Sequence, residues 1–214
     1  MKLLIIFTSL IIFTGSVAMA EDTEIAPYTV LQDFPDQNIQ IRRYESLILV
    51  ETPMGGEGRN GAFGRLFQYI SGENIKQSKI PMTAPVFMDS KEEEGTETSE
   101  KIPMTAPVFM DEKESAERMM AFVLPSEYTM ESAPLPKNEN VSLREHINYD
   151  VATIRFNGTL SDNNIQKHKD ILMAWLSENN YTVAGSYQYA GYNAPYTLPW
   201  NRRNEVLIPV DLNQ

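Results

Sequence analysis

The sequence offers no recognisable set of metal ligands or catalytic residues, because its 29 acidic side chains are too scattered to assign as pairs. The chain has no cysteine, so disulfides and thiolate chemistry are excluded. His146 and His168 are its only histidines, and His168 shares the apolar stripe of a predicted helix, where packing competes with ligation as its role. No Ser-His-Asp order, G-x-S-x-G elbow, phosphate loop or H-E-x-x-H motif is present. These absences predict a protein that is not an enzyme.

One eleven-residue segment occurs twice without change, as residues 79–89 and 101–111 (KIPMTAPVFMD). Its alternating side chains have the period of a β-strand. Two copies are too few for a repeat array, so we expect a local duplication that forms the two arms of a hairpin. Proline cannot donate a backbone hydrogen bond, and its presence here indicates an edge, a bulge or a barrel seam. Residues 90–100, between the copies, contain no apolar side chain and indicate a solvated loop, with a cation site on residues 92–94 as the alternative.

The N-terminal residues have the layout of a secretory signal peptide. Lys2 precedes an apolar run at residues 3–13, and a small-residue site follows at residues 18–20. The run is too short to span a bilayer comfortably. We therefore expect cleavage after Ala20, a periplasmic or secreted protein, and no stable membrane insertion afterwards; a retained N-terminal anchor is the alternative. Residues 21–37 form a lead-in, and residues 38–214 form the folded domain.

Length and charge narrow the remaining possibilities. The chain has 214 residues, which suits one domain, and 42% of them are hydrophobic, which suffices for a core. Its net charge is −11 at pH 7. An acidic chain of this kind is a poor partner for nucleic acid, whose phosphates demand a basic surface.

The order of the predicted strands and helices indicates the fold class. Residues 132–140 contain two prolines and form a linker between two halves, each with one helix among several short strands. Strands are predicted at 38–50, 119–124, 141–145, 149–156, 181–192 and 205–210, and helices at 60–72 and from 161–162 to 179–180. Strands this short and numerous favour an α+β domain. We expect a largely antiparallel, curved sheet with two helices packed against it.

Six separate motifs in this order resemble the SOUL haem-binding protein family. They occupy residues 41–45 (IRRYE), 67–74 (FQYISGEN), the MTAPV sequence of the duplicated segment, 156–158 (FNG), 189–193 (YAGYN) and 202–206 (RRNEV). The resemblance implies a distorted antiparallel β-barrel flanked by two helices and built from two pseudo-symmetric halves. The same architecture resembles the effector-binding domains of some bacterial regulators.

The family implies non-covalent binding of haem or a related tetrapyrrole. A porphyrin is a flat apolar plate with two propionates, so its site needs an apolar wall and cations at the rim. Phe63, Leu66 and Phe67 could form the wall, the alternative being that they pack the helix onto the sheet. Arg43 and Arg65 could pair with propionates, the alternative being ordinary solvated charge.

An axial ligand to the iron is harder to place. One branch of the family carries a histidine where this chain has Arg43, and some members carry a helical lysine where this chain has Gln68. The chain is nearer to the branch that holds haem by an apolar surface without a dedicated ligand. His168 is the axial candidate. Strand packing explains the methionines of the repeat, with thioether ligation as the alternative at Met82, Met88, Met104 and Met110.

The sequence therefore predicts a haem- or tetrapyrrole-binding protein outside the cytoplasm, for storage, scavenging or transfer. One alternative is a sensor or effector-binding module for a non-porphyrin small molecule. Another is a protein-interaction role without a ligand. The sequence identifies no protein partner.

Overall fold

The computed structural model describes residues 24–77, 98–111, 118–194 and 196–212. Several predictions fall outside these residues: the signal peptide, the first copy of the duplicated segment with Met82 and Met88, and the acidic cation site at residues 92–94.

Within the described residues, ten strands and two α-helices form an α+β fold. The strands are β1 (Thr29–Phe34), β2 (Ile39–Pro53), β3 (Asn74–Ile75), β4 (Thr105–Asp111), β5 (Met119–Val123), β6 (Leu135–Pro136), β7 (Ser142–Phe156), β8 (Thr182–Val183), β9 (Gln188–Gly191) and β10 (Asn204–Asp211). The helices are α1 (Gly58–Ile70) and α2 (Asp162–Glu178). None of the described helices is long and apolar enough to cross a membrane.

Six of the strands close into an antiparallel barrel. Their order around it is β2-β5-β4-β9-β10-β7, and pairing between β2 and β7 completes the circle. The first half contributes β2, β5 and β4, and the second contributes β7, β10 and β9 in the matching order. The halves meet where β2 pairs with β7 and where β4 pairs with β9. The predicted α+β class, the two helices and the two pseudo-symmetric halves are confirmed.

The duplicated segment is placed differently from the prediction. Its second copy forms β4, which pairs with β5 along one edge and with β9 along the other. The prediction that the second copy pairs with the first in a hairpin is therefore wrong, because β5 and β9 already occupy both edges of β4. The proline effect is confirmed: the β4–β5 register shifts between Thr105 and Val108, which flank Pro107.

Two predicted strand boundaries also differ. The break expected within residues 141–156 is absent, because β7 runs for 15 residues and keeps one register with β2 through Asn148, whose φ is 49°. Residues 181–192 are divided instead. β8 pairs with the end of β10, whereas β9 pairs with its beginning and with β4.

Two apolar layers stabilise the barrel. One lies between the helices and the outer face of the sheet, where Leu66 of α1 and Leu172 of α2 are both fully buried. The other fills the barrel interior around Tyr44, Phe109 and Leu207. Burial of this kind contributes about 1.5–3 kcal/mol for each large side chain. The helices are thus fixed against the sheet, and their outward-facing side chains are free to form a site.

Candidate functional site

A cavity of about 570 Å³ lies beside α1, between that helix and strands β4, β5 and β9. Its volume is within the range of about 300–1,000 Å³ typical of small-molecule sites. Most of its lining is apolar. We call it the α1 groove and define it by Phe63, Met104, Val108, Met120, Leu160 and Tyr192.

The aromatic wall of the α1 groove comes from one face of α1. Phe63 and Phe67 are one turn apart and stack on each other with ring centroids 6.1 Å apart. Phe63 also packs edge-on against Phe122 of β5 at 5.2 Å. Phe63 lines the groove and is 38% exposed, while Phe67 continues the aromatic surface beyond it and is 51% exposed. Large aromatic side chains left uncovered in this way suit a ligand with a flat apolar face.

Leu66 was predicted as part of the same wall, and the structure places it elsewhere. It is fully buried between α1 and the sheet. Successive helical residues turn by about 100°, so Leu66 points at the core while Phe67 points away from it. Leu66 supports the helix and has no surface to offer a ligand.

Arg43 and Arg65, the predicted cations, are both engaged by the protein and do not line the α1 groove. Arg43 donates two hydrogen bonds of 2.7 Å to Asp150 on the neighbouring strand. Arg65 donates to Glu57, to the Thr52 hydroxyl and to the Pro53 carbonyl. Bidentate and multiple contacts of this kind hold a guanidinium in place.

Arg59 is the cation that the sequence analysis missed. It lies one turn before Phe63 and lines the α1 groove. It donates to the Leu160 carbonyl at 3.1 Å and to the Tyr189 hydroxyl at 3.2 Å, and it pairs with the exposed Asp162 at 3.4 Å. Its i, i+4 spacing from Phe63 was the available signal, because residues four apart share a helix face.

Neither histidine lines the α1 groove. His168 stacks on Phe156 at 4.1 Å, and its Nδ1 lies 2.7 Å from the Asn164 carbonyl. It faces a separate, polar cavity beside α2. His146 stacks on Tyr149 at 4.4 Å, and burial, followed by the charge of Arg144, lowers its pKa. Among the described residues, no cluster of three or more acidic or histidine side chains could hold a metal ion.

A buried ionic network lies directly behind the α1 groove. The Tyr192 hydroxyl donates to Glu205 at 2.7 Å, and Glu205 accepts two hydrogen bonds from Arg42 and two from Arg203. Burial acts to raise the pKa of Glu205, but hydrogen bonds and charge from Arg42 outweigh it and lower that pKa. Burial also raises the pKa of Tyr192 well above its ordinary value. The groove therefore meets a neutral phenol at Tyr192.

A smaller cavity of about 250 Å³ lies at one end of the barrel, where Arg42, Arg155 and Arg203 line it. Its polar, cationic lining does not suit an apolar plate. The α1 groove is thus the described cavity whose surface matches the predicted ligand.

The family model described as SOUL heme-binding protein matches residues 23–99 and 92–209, a region that includes all six motifs. Heme-binding protein 1 of Xenopus tropicalis is 25% identical over 169 residues, which cover 77% of this chain and 80% of that protein.

Two solved structures share the fold. An uncharacterized conserved protein from Listeria innocua superposes with a TM-score of 0.51 at 12% identity, over 82% of this chain and 93% of that one. EcmrR in a complex with DNA gives a TM-score of 0.50 at 13% identity, over 81% of this chain and 57% of that one. At these identities the likeness concerns the fold alone.

Proposed function

Because the chain belongs to the SOUL haem-binding protein family, we propose that it binds haem or a related tetrapyrrole non-covalently in the α1 groove. The observation that carries this proposal is the uncovered Phe63–Phe67 pair at the edge of an apolar cavity of about 570 Å³. We further propose a role in storage, scavenging or transfer rather than in catalysis. The absence of a catalytic motif in the sequence supports that role.

The side chains of the groove fit a porphyrin in two respects. Phe63, Val108 and Leu160 present an apolar surface on which a macrocycle could be shielded from water. Arg59 stands among these apolar residues as a cation suited to a propionate. When bound, the tetrapyrrole would supply its iron chemistry, while the protein would provide shielding and charge complementarity.

Titration with hemin tests the site. The wild-type protein should change the Soret band with saturable stoichiometry, and the double variant F63D/F67D should lose that change. The matched control is I171D/M173D, which places the same charges on two exposed apolar residues of α2. If F63D/F67D binds hemin as the wild type does, the α1 groove is not the site.

One observation favours a different ligand for the same groove. Among the described residues that line it, Arg59 is the only cation, whereas haem carries two propionates. An amphipathic planar molecule with a single carboxylate would match that charge more closely. Thermal-shift measurements separate the two, because the ligand that binds the native state raises the melting temperature. Stabilisation by such a monoacid without stabilisation by hemin would favour the alternative.

We also propose that the protein acts outside the cytoplasm. The apolar run at residues 3–13 and the small residues at 18–20 support this proposal. Mass spectrometry of the exported protein should find Glu21 as the first residue. Recovery of the intact N-terminus in the cytoplasmic fraction would contradict it.

A further inference from the structure

The α1 groove contains three thioethers and, among its described lining residues, no histidine. Met110 and Met120 face each other across the β4–β5 pair and are buried in the core. Met104 differs from them. It precedes β4, lines the groove and is 37% exposed. Met104 is therefore the most exposed of the three methionines that line the groove.

The backbone on both sides of Met104 is anchored. The amide of Ile102 donates to the Ile70 carbonyl at the end of α1, at 2.8 Å. Ala106 donates to the Glu24 carbonyl at 2.7 Å, and its own carbonyl accepts from Ala26 at 2.8 Å. These bonds fix the backbone that carries Met104 beside the groove, and its flexible side chain can adjust to a bound molecule.

Three other polar side chains of the groove are poorer donors to iron. The Tyr192 hydroxyl is used by Glu205, and burial keeps this phenol protonated. Thr105 is 1% exposed, and its hydroxyl has no hydrogen-bond partner among the described residues. Arg59 carries no lone pair to share. A neutral thioether, by contrast, is an established haem-iron ligand in proteins.

We propose that the sulfur of Met104 is the axial ligand to the iron of a haem bound in the α1 groove. This inference rests on the proposed function and adds to it a selectivity for the iron-bearing macrocycle. It also assigns a role to the second copy of the duplicated segment, because that copy supplies both the strand β4 and the methionine that precedes it.

The test compares hemin with iron-free protoporphyrin IX on the wild type, M104L and M104H. Leucine conserves the volume of Met104 but cannot ligate iron. M104L should lose the long-wavelength charge-transfer absorption of a thioether–ferric haem, and its Kd for hemin should rise by about tenfold, an amount equivalent to one weak ligand bond. Its Kd for protoporphyrin IX should not change. M104H should show the Soret and visible bands of imidazole ligation.

Two controls make the outcome specific. M173L alters an exposed methionine on α2, and M82L alters the equivalent position in the first copy of the segment; both should retain the wild-type spectrum. If M104L keeps the wild-type hemin spectrum and affinity, or if M82L alone loses them, Met104 is not the ligand although haem binding stands. If the wild type binds neither hemin nor protoporphyrin IX, the proposed function fails and this inference fails with it.

Discussion

The two halves of the barrel share a strand order and differ in what covers their helices. Beside α2, aromatic side chains from elsewhere in the chain complete the packing. The ring centroids of Phe34 and Tyr181 lie 4.8 and 5.5 Å from that of Trp175. Phe156 stacks on His168. Beside α1, Phe63 and Phe67 stack on each other and remain partly exposed. The same architecture thus has aromatic packing around Trp175 and His168 of α2 in one half and an open apolar groove beside α1 in the other.

The difference shows where a binding site comes from in a symmetric fold. The strand order is the same in the two halves, and each helix buries a leucine against the sheet, Leu66 on α1 and Leu172 on α2. The covering residues are not equivalent, because β1 ends at Phe34 and carries that residue to α2. The proposed site is therefore a property of side chains placed on the fold rather than of the fold itself.

The largest expected effect concerns the contact that joins the two halves inside the barrel. Arg42 of β2 and Glu205 of β10 are almost fully buried and lie 2.7 Å apart. Replacement of Glu205 by alanine leaves Arg42 and Arg203 without their carboxylate, and we expect E205A to lower the free energy of unfolding by about 3–5 kcal/mol. Urea denaturation followed by circular dichroism measures this change.

The control for this variant is E178A, which removes an exposed carboxylate at the end of α2. Its effect should stay within about 0.5 kcal/mol. Equal midpoints for E205A and the wild type would mean that the buried ion pair contributes nothing to holding the halves together.

The second prediction compares the two helices directly. Trp175 is buried between Phe34 and Tyr181, so W175A should cost about 3 kcal/mol of unfolding free energy. Phe67 is half exposed on α1, and F67A should cost less than about 1 kcal/mol. Thermal and urea denaturation of both variants give the comparison. Similar losses would show that the two helices are covered to the same extent, contrary to the structure.

The third prediction concerns a substitution that fills the α1 groove. Val108 lies on the floor of the α1 groove, and V108F would fill part of it as aromatic residues fill the space beside α2. We expect the hemin Kd to rise by about tenfold or more while stability changes by less than about 1.5 kcal/mol. Spectrophotometric titration measures the affinity, and V183F, on the exposed strand β8, is the matched control. Unchanged affinity in V108F would place the ligand elsewhere.

The sequence predicted correctly those features that depend on residues close together in the chain. The 3.6-residue period of residues 60–72 predicted α1, and Gly72, with a φ of 120°, follows its end as expected. The proline rule predicted an irregularity in β4, which the register shift confirms. In each case the property belongs to a short stretch of chain and needs no information about distant neighbours.

The sequence did not predict features that depend on contacts between residues far apart in the chain. Periodicity grouped Leu66 with Phe63 and Phe67, but only the sheet beneath α1 determines which of them is buried. Arg43 was a candidate to pair with a propionate, with solvated charge as the alternative, and the sequence did not indicate its ion pair with Asp150, 107 residues away. The hairpin prediction failed for the same reason, because β9, far along the chain, occupies one edge of β4. Long-range pairing of this kind leaves no local pattern.

The smallest expected effect is the pH dependence of the ion pair between the halves. Burial acts to raise the pKa of Glu205, but hydrogen bonds and charge from Arg42 outweigh it and lower that pKa below its ordinary value of 4.5. The carboxylate therefore stabilises the folded state above the pKa of the unfolded chain, and this stabilisation is lost as the pH falls through the lower, folded value. Below pH 4.5 the wild type should lose roughly 1 kcal/mol per pH unit more than E205Q, which cannot titrate. E178Q is the matched control for the substitution itself, because it makes the same change at an exposed residue. Urea denaturation between about pH 3 and 6 measures how the free energy of unfolding depends on pH. If the wild type and E205Q show the same dependence, Arg42 does not stabilise the charged form of Glu205, and the interior of the barrel contains no pH-dependent contact between the halves.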